Sequence, residues 1–269
     1  MRSVLGIDAA WTDRQPSGVA LVDETGEGWK IVEVAPSYEH FFSHAATGRL
    51  PASRPMGSTP SARLLLDTCR GTLGRDPTLV AVDMPMSYEP ITGRRTADTL
   101  VSKAYGAKKC STHSPSALRP GALSDRLREA FAEEGYPLLT QGSNDFSRGL
   151  LEVYPHPALL KLTGARERLK YKTSRARKYW PTHTPEERAR RLMEQWETIA
   201  RALDQRIRGV EGALSELEPP TSGVSRKAYE DAIDAIVCCW VGICVLEGNA
   251  LALGDKNAAI WIPDCAEVQ

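Results

Sequence analysis

Four aspartates have the positions and spacing to do chemistry together: Asp8, Asp83, Asp231 and Asp234. Asp8 ends the apolar run Ser3-Val4-Leu5-Gly6-Ile7, and Asp83 ends Thr78-Leu79-Val80-Ala81-Val82. Ligands of open α/β sheets gather at the carboxyl ends of strands, so both acids are expected at one sheet edge. Each alone also reads as a cap for the turn that follows it. Asp231 and Asp234 stand three apart in Tyr229-Glu230-Asp231-Ala232-Ile233-Asp234-Ala235, which places them on one face of a helix. Like charges at that spacing repel, and an adjoining apolar run makes the desolvation penalty larger. A bound cation removes that penalty; the alternative is that early-helix acids complement the helix dipole. Carboxylates without clustered His or Cys suit Mg²⁺ or Mn²⁺ rather than zinc. Four of them suffice for two ions about 3.5–4 Å apart, the arrangement that serves in-line phosphoryl displacement.

Other residues are weaker candidates. Glu152 ends Leu150–Tyr154, read as a strand, and is a further ligand, a general base or a strand-end cap. Arg94 and Arg95 are candidates for clamping a phosphate, and Lys170 and Lys172 offer point charges to a backbone; each also reads as a solvated surface residue. His113 and His156 lie in Pro-flanked loops and are candidate proton shuttles. Cys110, Ser111, Ser114 and Ser116 suggest no nucleophile, because no orienting triad can be inferred.

The elements that must position these groups follow from pattern. Ser3–Asp8, Ser17–Asp23 and Trp29–Val34 read as three strands with short connections, hence antiparallel. The Gly/Pro/Ser-rich stretch Thr47–Pro60 precedes a helix, Ser61–Leu73, and the continuous run Thr78–Asp83 reads as a strand buried on both faces. The order is β-β-β-α-β, with the crossover helix making the fourth strand parallel to its neighbour. Residues 87–147 read as a helical insertion, with helices near Arg94–Tyr105 and Leu118–Glu134. Residues 156–218 read as a helical region, with helices at Ala158–Leu162, Pro185–Gln205 and Ile207–Glu216. A last helix is expected over Arg226–Leu246, with Trp240 in packing, and a short strand over Ala259–Ile262. All of this reads as one α/β domain over 1–269.

Composition narrows the rest. The chain of 269 residues is 42% hydrophobic and 25% charged, ordinary values for a globular protein. Its longest apolar run, Ala235–Leu246, falls short of the roughly 20 residues of a membrane span, so no membrane partner is expected. Met1–Asp8 leads directly into a strand, with no signal peptide. Six cysteines, three of them inside the apolar helix and none at metal-ligand spacing, suit a reducing cytoplasm. Net charge is zero, but residues 94–128 and 161–179 each hold eight Lys/Arg, leaving the remainder acidic. Two basic segments on an acidic scaffold suit a polyanionic ligand near an acidic metal site, though such runs also occur as solvated helix faces.

Gly6-Ile7-Asp8, Asp83 and Asp231–Ala235 together resemble the Holliday-junction resolvase branch of the ribonuclease H superfamily. With Gly6–Ala9, Asp83-Met84-Pro85, Arg94–Asp98, Glu152–Pro155 and Asp231–Ala235, the chain more closely resembles the domain-of-unknown-function 429 family of predicted ribonuclease-H-like nucleases, over roughly 1–262. The resemblance implies a ribonuclease-H-like mixed sheet and a metal-dependent nuclease with nucleic acid as partner; a homodimer is left open. The resolvases usually carry Glu where this chain has Asp83, which shortens that ligand arm. Two rivals stand beside the nuclease. A sugar-kinase/actin-like phosphotransferase shares the strand-one start, but needs a second domain and a Gly-x-Gly loop that does not follow Asp83. A non-catalytic nucleic-acid- or protein-binding module would keep the acids for stability alone.

Overall fold

The computed structural model describes residues 1–59 and 61–264. Its seven strands are β1 (Ser3–Asp8), β2 (Gly18–Thr25), β3 (Gly28–Ala35), β4 (Leu79–Val82), β5 (Gly149–Val153), β6 (Ala250–Gly254) and β7 (Ala259–Pro263). They form one mixed sheet in the order β3-β2-β1-β4-β5-β7-β6. The first three pair antiparallel, as their short connections dictate. β1, β4, β5 and β7 run parallel, and β6 returns antiparallel to β7.

Helices cover both faces, as a sheet with parallel central strands requires. Ala62–Leu73 and Ala122–Glu133 lie on one face, where Leu65, Leu66, Cys69 and Phe131 bury Leu5, Ile7, Val80, Val82 and Leu150. Ser61 caps the first of these by accepting from Leu64 N at 3.1 Å. Residues 87–147 therefore divide between two places. Ala122–Glu133 is the crossover helix joining β4 to β5, whereas Thr96–Tyr105 packs through Ala97 and Val101 on β7.

The other face belongs to the helix Gly223–Leu246, which packs Ile233, Ile236 and Val237 against Val4, Ala20, Val22 and Ala81. Pro155–Thr163, Pro185–Asp204 and Val210–Ser215 surround that helix, burying Leu159, Trp196, Leu203 and Leu214 in the same core. Gly6 and Gly18 permit the close approach. A Cβ on Gly6 would run into the carbonyl oxygen of Ala235, and one on Gly18 into that of Asp231. These contacts fix the height of Asp231 and Asp234 above the sheet.

Besides single-turn helices such as Ala176–Tyr179, the helix Tyr38–Thr47 and the strand β6 have no counterpart in the sequence expectations. The helix Tyr38–Thr47 does carry signals, since Ser37 accepts from His40 N at 3.3 Å and Gly48 closes it with a positive φ. Pro155 and Pro157 begin the helix Pro155–Thr163, where a proline at the first positions sacrifices no hydrogen bond, so His156 lies in a helical turn and not in the loop expected for it. No described helix is long and apolar enough to cross a membrane. Cys69, Cys110, Cys238, Cys239 and Cys244 are buried; Cys265 lies outside the described residues.

Candidate functional site

Parallel pairing aligns Ile7 with Val82, so Asp8 and Asp83 emerge side by side at the carboxyl edge of the two central strands. Asp83 N donates to Ile7 O at 2.9 Å, continuing the ladder to the last residue before the site. The long helix brings the other two acids over them. Burial and the charge of Asp8 push both Asp83 and Asp231 well above the usual carboxylate range, and the Asp8 and Asp231 side chains share a hydrogen bond. Burial raises Asp234 to about 6, against the pull of Lys172. All four acids thus feel one another across a common space.

They are less bare than the sequence suggests. Lys227 pairs with Asp231 one helical turn on, and Lys172 pairs with Asp234. Both ammonium groups also reach Glu230, at 3.3 Å from Lys227 and 3.4 Å from Lys172. Tyr171 Oη donates to Asp234 Oδ1 at 2.8 Å, and Thr173 N to Glu230 Oε2 at 2.6 Å. Glu230, Asp231 and Asp234 are buried to within 2%. Burial works to raise Glu230 as well, but its two lysines outweigh that and hold it below the ordinary value. The helix dipole does not account for these acids, because the helix begins at Gly223 and its first turn holds none.

Three expectations are corrected here. Lys172 does not reach outward to a backbone; it is an internal counter-ion. Glu152 is not available as a ligand or base, because Arg95 grips it with Nη1 at 2.6 Å and Nη2 at 2.7 Å while Met86 N donates at 2.8 Å. Arg95 is correspondingly no phosphate clamp. Its remaining donors go to Asp98, with Nε to Oδ2 and Nη2 to Oδ1 both at 3.0 Å, and to Met86 O at 2.6 Å. Arg94 ties its helix to the following loop through Ser102 Oγ at 2.6 Å and Ser114 Oγ at 3.0 Å. Lys170 is exposed and away from the acids' contacts.

Asp8 and Asp83 open on a cleft of about 490 Å³ lined also by Lys227, Trp11, His113 and Arg119, with Ser114 and Ser116 on the same wall, whereas Asp231 and Asp234 are buried and lie outside its lining. Arg119 lies over the Trp11 ring, 5.7 Å from its centroid. Burial and then Arg175, Arg168 and Arg119 hold His113 below the ordinary histidine value. Sequence reading passed over Trp11, Arg119, Tyr171, Lys227 and Glu230. The last pair had a local signal, since Lys227 stands three and four residues before Glu230 and Asp231. The others meet the site only through tertiary contact.

Among the described residues, no three or more His, Cys, Asp or Glu side chains are arranged as the ligands of a metal ion. The donor set nonetheless fits a hard cation in kind. Every donor is a carboxylate oxygen, and five acids face two lysine ammonium groups that stand where cations are needed. No curated protein matches the chain. A family model matches residues 6–259, which takes in the end of β1, all of β4, the acids and the long helix. The chain belongs to the family described as protein of unknown function, DUF429.

Proposed function

We propose that the chain is a divalent-metal-dependent phosphodiesterase acting on nucleic acid, built on a ribonuclease-H-like sheet. The observation that carries this reading is the pairing of β1 with β4, which sets Asp8 beside Asp83 at the mouth of a cleft walled by Arg119 and His113, with Asp231 and Asp234 buried on the helix that packs over β1. The order β3-β2-β1-β4-β5, antiparallel and then parallel, supports the ribonuclease-H-like topology.

Asp8 and Asp83, which no lysine holds, would be the first ligands; Asp231 and Asp234 would join as Lys227 and Lys172 give way. Bound there, Mg²⁺ or Mn²⁺ supplies an acidified water and charge neutralisation at a phosphoryl oxygen. Trp11, already under a guanidinium, offers a stacking surface for a base beside the phosphate-binding charge of Arg119. His113 lines the cleft and, held below the ordinary histidine value, is the group there suited to accept a proton. Lys227 and Lys172 neutralise the helix acids while the site is empty of substrate.

A cleavage screen over DNA, RNA, hybrids and junctions with Mg²⁺ or Mn²⁺ tests the reading. Asp8→Asn and Asp83→Asn should each reduce the rate by about a hundredfold or more. Undiminished cleavage in both would sink it. One observation favours a non-catalytic binding module instead: the lysines already compensate three of the acids. That alternative expects neither cleavage nor any Mn²⁺ effect on melting.

A further inference from the structure

The segment 161–179 contains a feature that the acid site does not use. Neither the Arg168 nor the Arg175 guanidinium stands in an ion pair among the described residues, although Lys172 between them is fully engaged. Three polar atoms nearby are buried and have no hydrogen-bond partner: Arg168 Nε, Tyr179 Oη and His156 Nδ1. The His156 side chain is only 6% exposed. Its ring is wedged between Tyr154 and Tyr171, with centroids 5.3 and 5.5 Å away.

These groups share one neighbourhood. Burial, then Arg168, Lys172 and Arg175, hold His156 well below the ordinary histidine value. The charges of Arg168 and Arg175 also act on Tyr179 and on His113. Tyr171 forms the partition, since the ring that touches His156 on one side hydrogen-bonds Asp234 on the other. A basic, donor-rich cluster of side chains therefore backs onto the acid site.

Buried donors without acceptors are costly, and so are unpaired guanidinium groups held close together. A single ligand relieves both: an acceptor-only oxyanion with oxygens pointing in several directions, which a tetrahedral phosphate provides and a planar carboxylate provides less well. We propose that Arg168, Arg175, His156 and Tyr179 form an oxyanion subsite that takes a phosphate group of the substrate next to the one at the acids. The identity of that substrate rests on the phosphodiesterase reading; the chemistry of the subsite does not.

The probe is inorganic phosphate, titrated into the full-length, metal-free protein and followed by ³¹P line width and by melting temperature. Wild type should bind it, and Arg168→Gln should weaken binding by about tenfold or more. Arg177→Gln, an exposed charge from the same segment, should leave binding unchanged. Arg168→Lys should retain part of it, which separates lost charge from lost folding. Equal affinity in the two Gln variants, or no binding by wild type, overturns the subsite. A glutamate peptide that displaces phosphate more tightly than a 5′-phosphorylated dinucleotide does would overturn the phosphate assignment. Better competition by that dinucleotide than by its unphosphorylated form points to a terminal phosphate, and equal competition to a backbone one. Phosphate binding without any nuclease activity would leave the subsite standing and remove the phosphodiesterase reading. Cleavage with phosphate affinity unchanged in Arg168→Gln would do the reverse.

Discussion

The ammonium group of Lys172 lies between Asp234 and Glu230, and Asp234 accepts in addition from Tyr171 Oη at 2.8 Å. Removing that one charge leaves the buried Asp234 without its ion-pair partner, while Glu230 keeps only Lys227. Lys172→Gln should therefore lower stability by about 3–5 kcal/mol in metal-free protein, measured by urea denaturation. If a divalent cation can take the vacated place, Mn²⁺ should restore more of the melting temperature in this variant than it adds to wild type. Equal Mn²⁺ effects in both would argue that the acids do not bind metal. Glu33 allows a cleaner pH test, because burial alone pushes it up to about 8. Its folded value lies above the unfolded one. The stability it contributes is thus complete below about pH 4 and is lost as pH rises through about 8. Glu33→Gln should melt higher than wild type at pH 8 and nearly the same at pH 4. A nearby imidazole, His44 Nδ1 at 3.3 Å, offers relief only where it is protonated.

At the scale of elements, the site depends on how closely the helix Gly223–Leu246 lies on β1 and β2. Gly6→Ala should force the helix outward at Ala235 and cost about 1–3 kcal/mol, read from the denaturation midpoint. Because the displaced turn carries Asp231 and Asp234, the same variant should lose any metal-dependent rise in melting temperature more completely than it loses stability. A variant that destabilises yet keeps the full metal response would show that helix height is not what sets the site. The Arg95 network is the second such device. It joins the helix Thr96–Tyr105, the Met86 turn and β5 through Asp98, Met86 O and Glu152. Arg95→Gln should behave as a core defect, costing about 3–5 kcal/mol by denaturation without changing phosphate affinity.

For the whole molecule, three layers bring together acids that are far apart in the chain, and the basic segment 161–179 crosses beside them. Lys172 faces the acids, while Arg168 and Arg175 are left unpaired. A polyanion spanning both sides should bind with strong salt dependence. Arg119→Gln should make log affinity less steep in log salt, by about one charge's worth. An unchanged slope would remove Arg119 from the binding surface.

The sequence by itself determined the apolar strands leading to Asp8 and Asp83, the buried helix bearing Asp231 and Asp234, and three antiparallel strands followed by a helix and a parallel fourth strand, with one of the two intervening helices missing from that order. These are local patterns of hydrophobic period and chain punctuation, which one strand or helix suffices to express. It missed the helix Tyr38–Thr47, although Ser37 and Gly48 mark its ends, and β6, whose alternating exposure makes a weak run. Only the tertiary structure decided which charges are spent on one another. Glu152 and Arg95 read as secondary candidates, free to act, until their mutual grip appeared across 57 residues of chain. Lys172 looked like a surface cation until it met Asp234. Ion pairing between distant segments is fixed by packing, and packing has no signature in residue spacing.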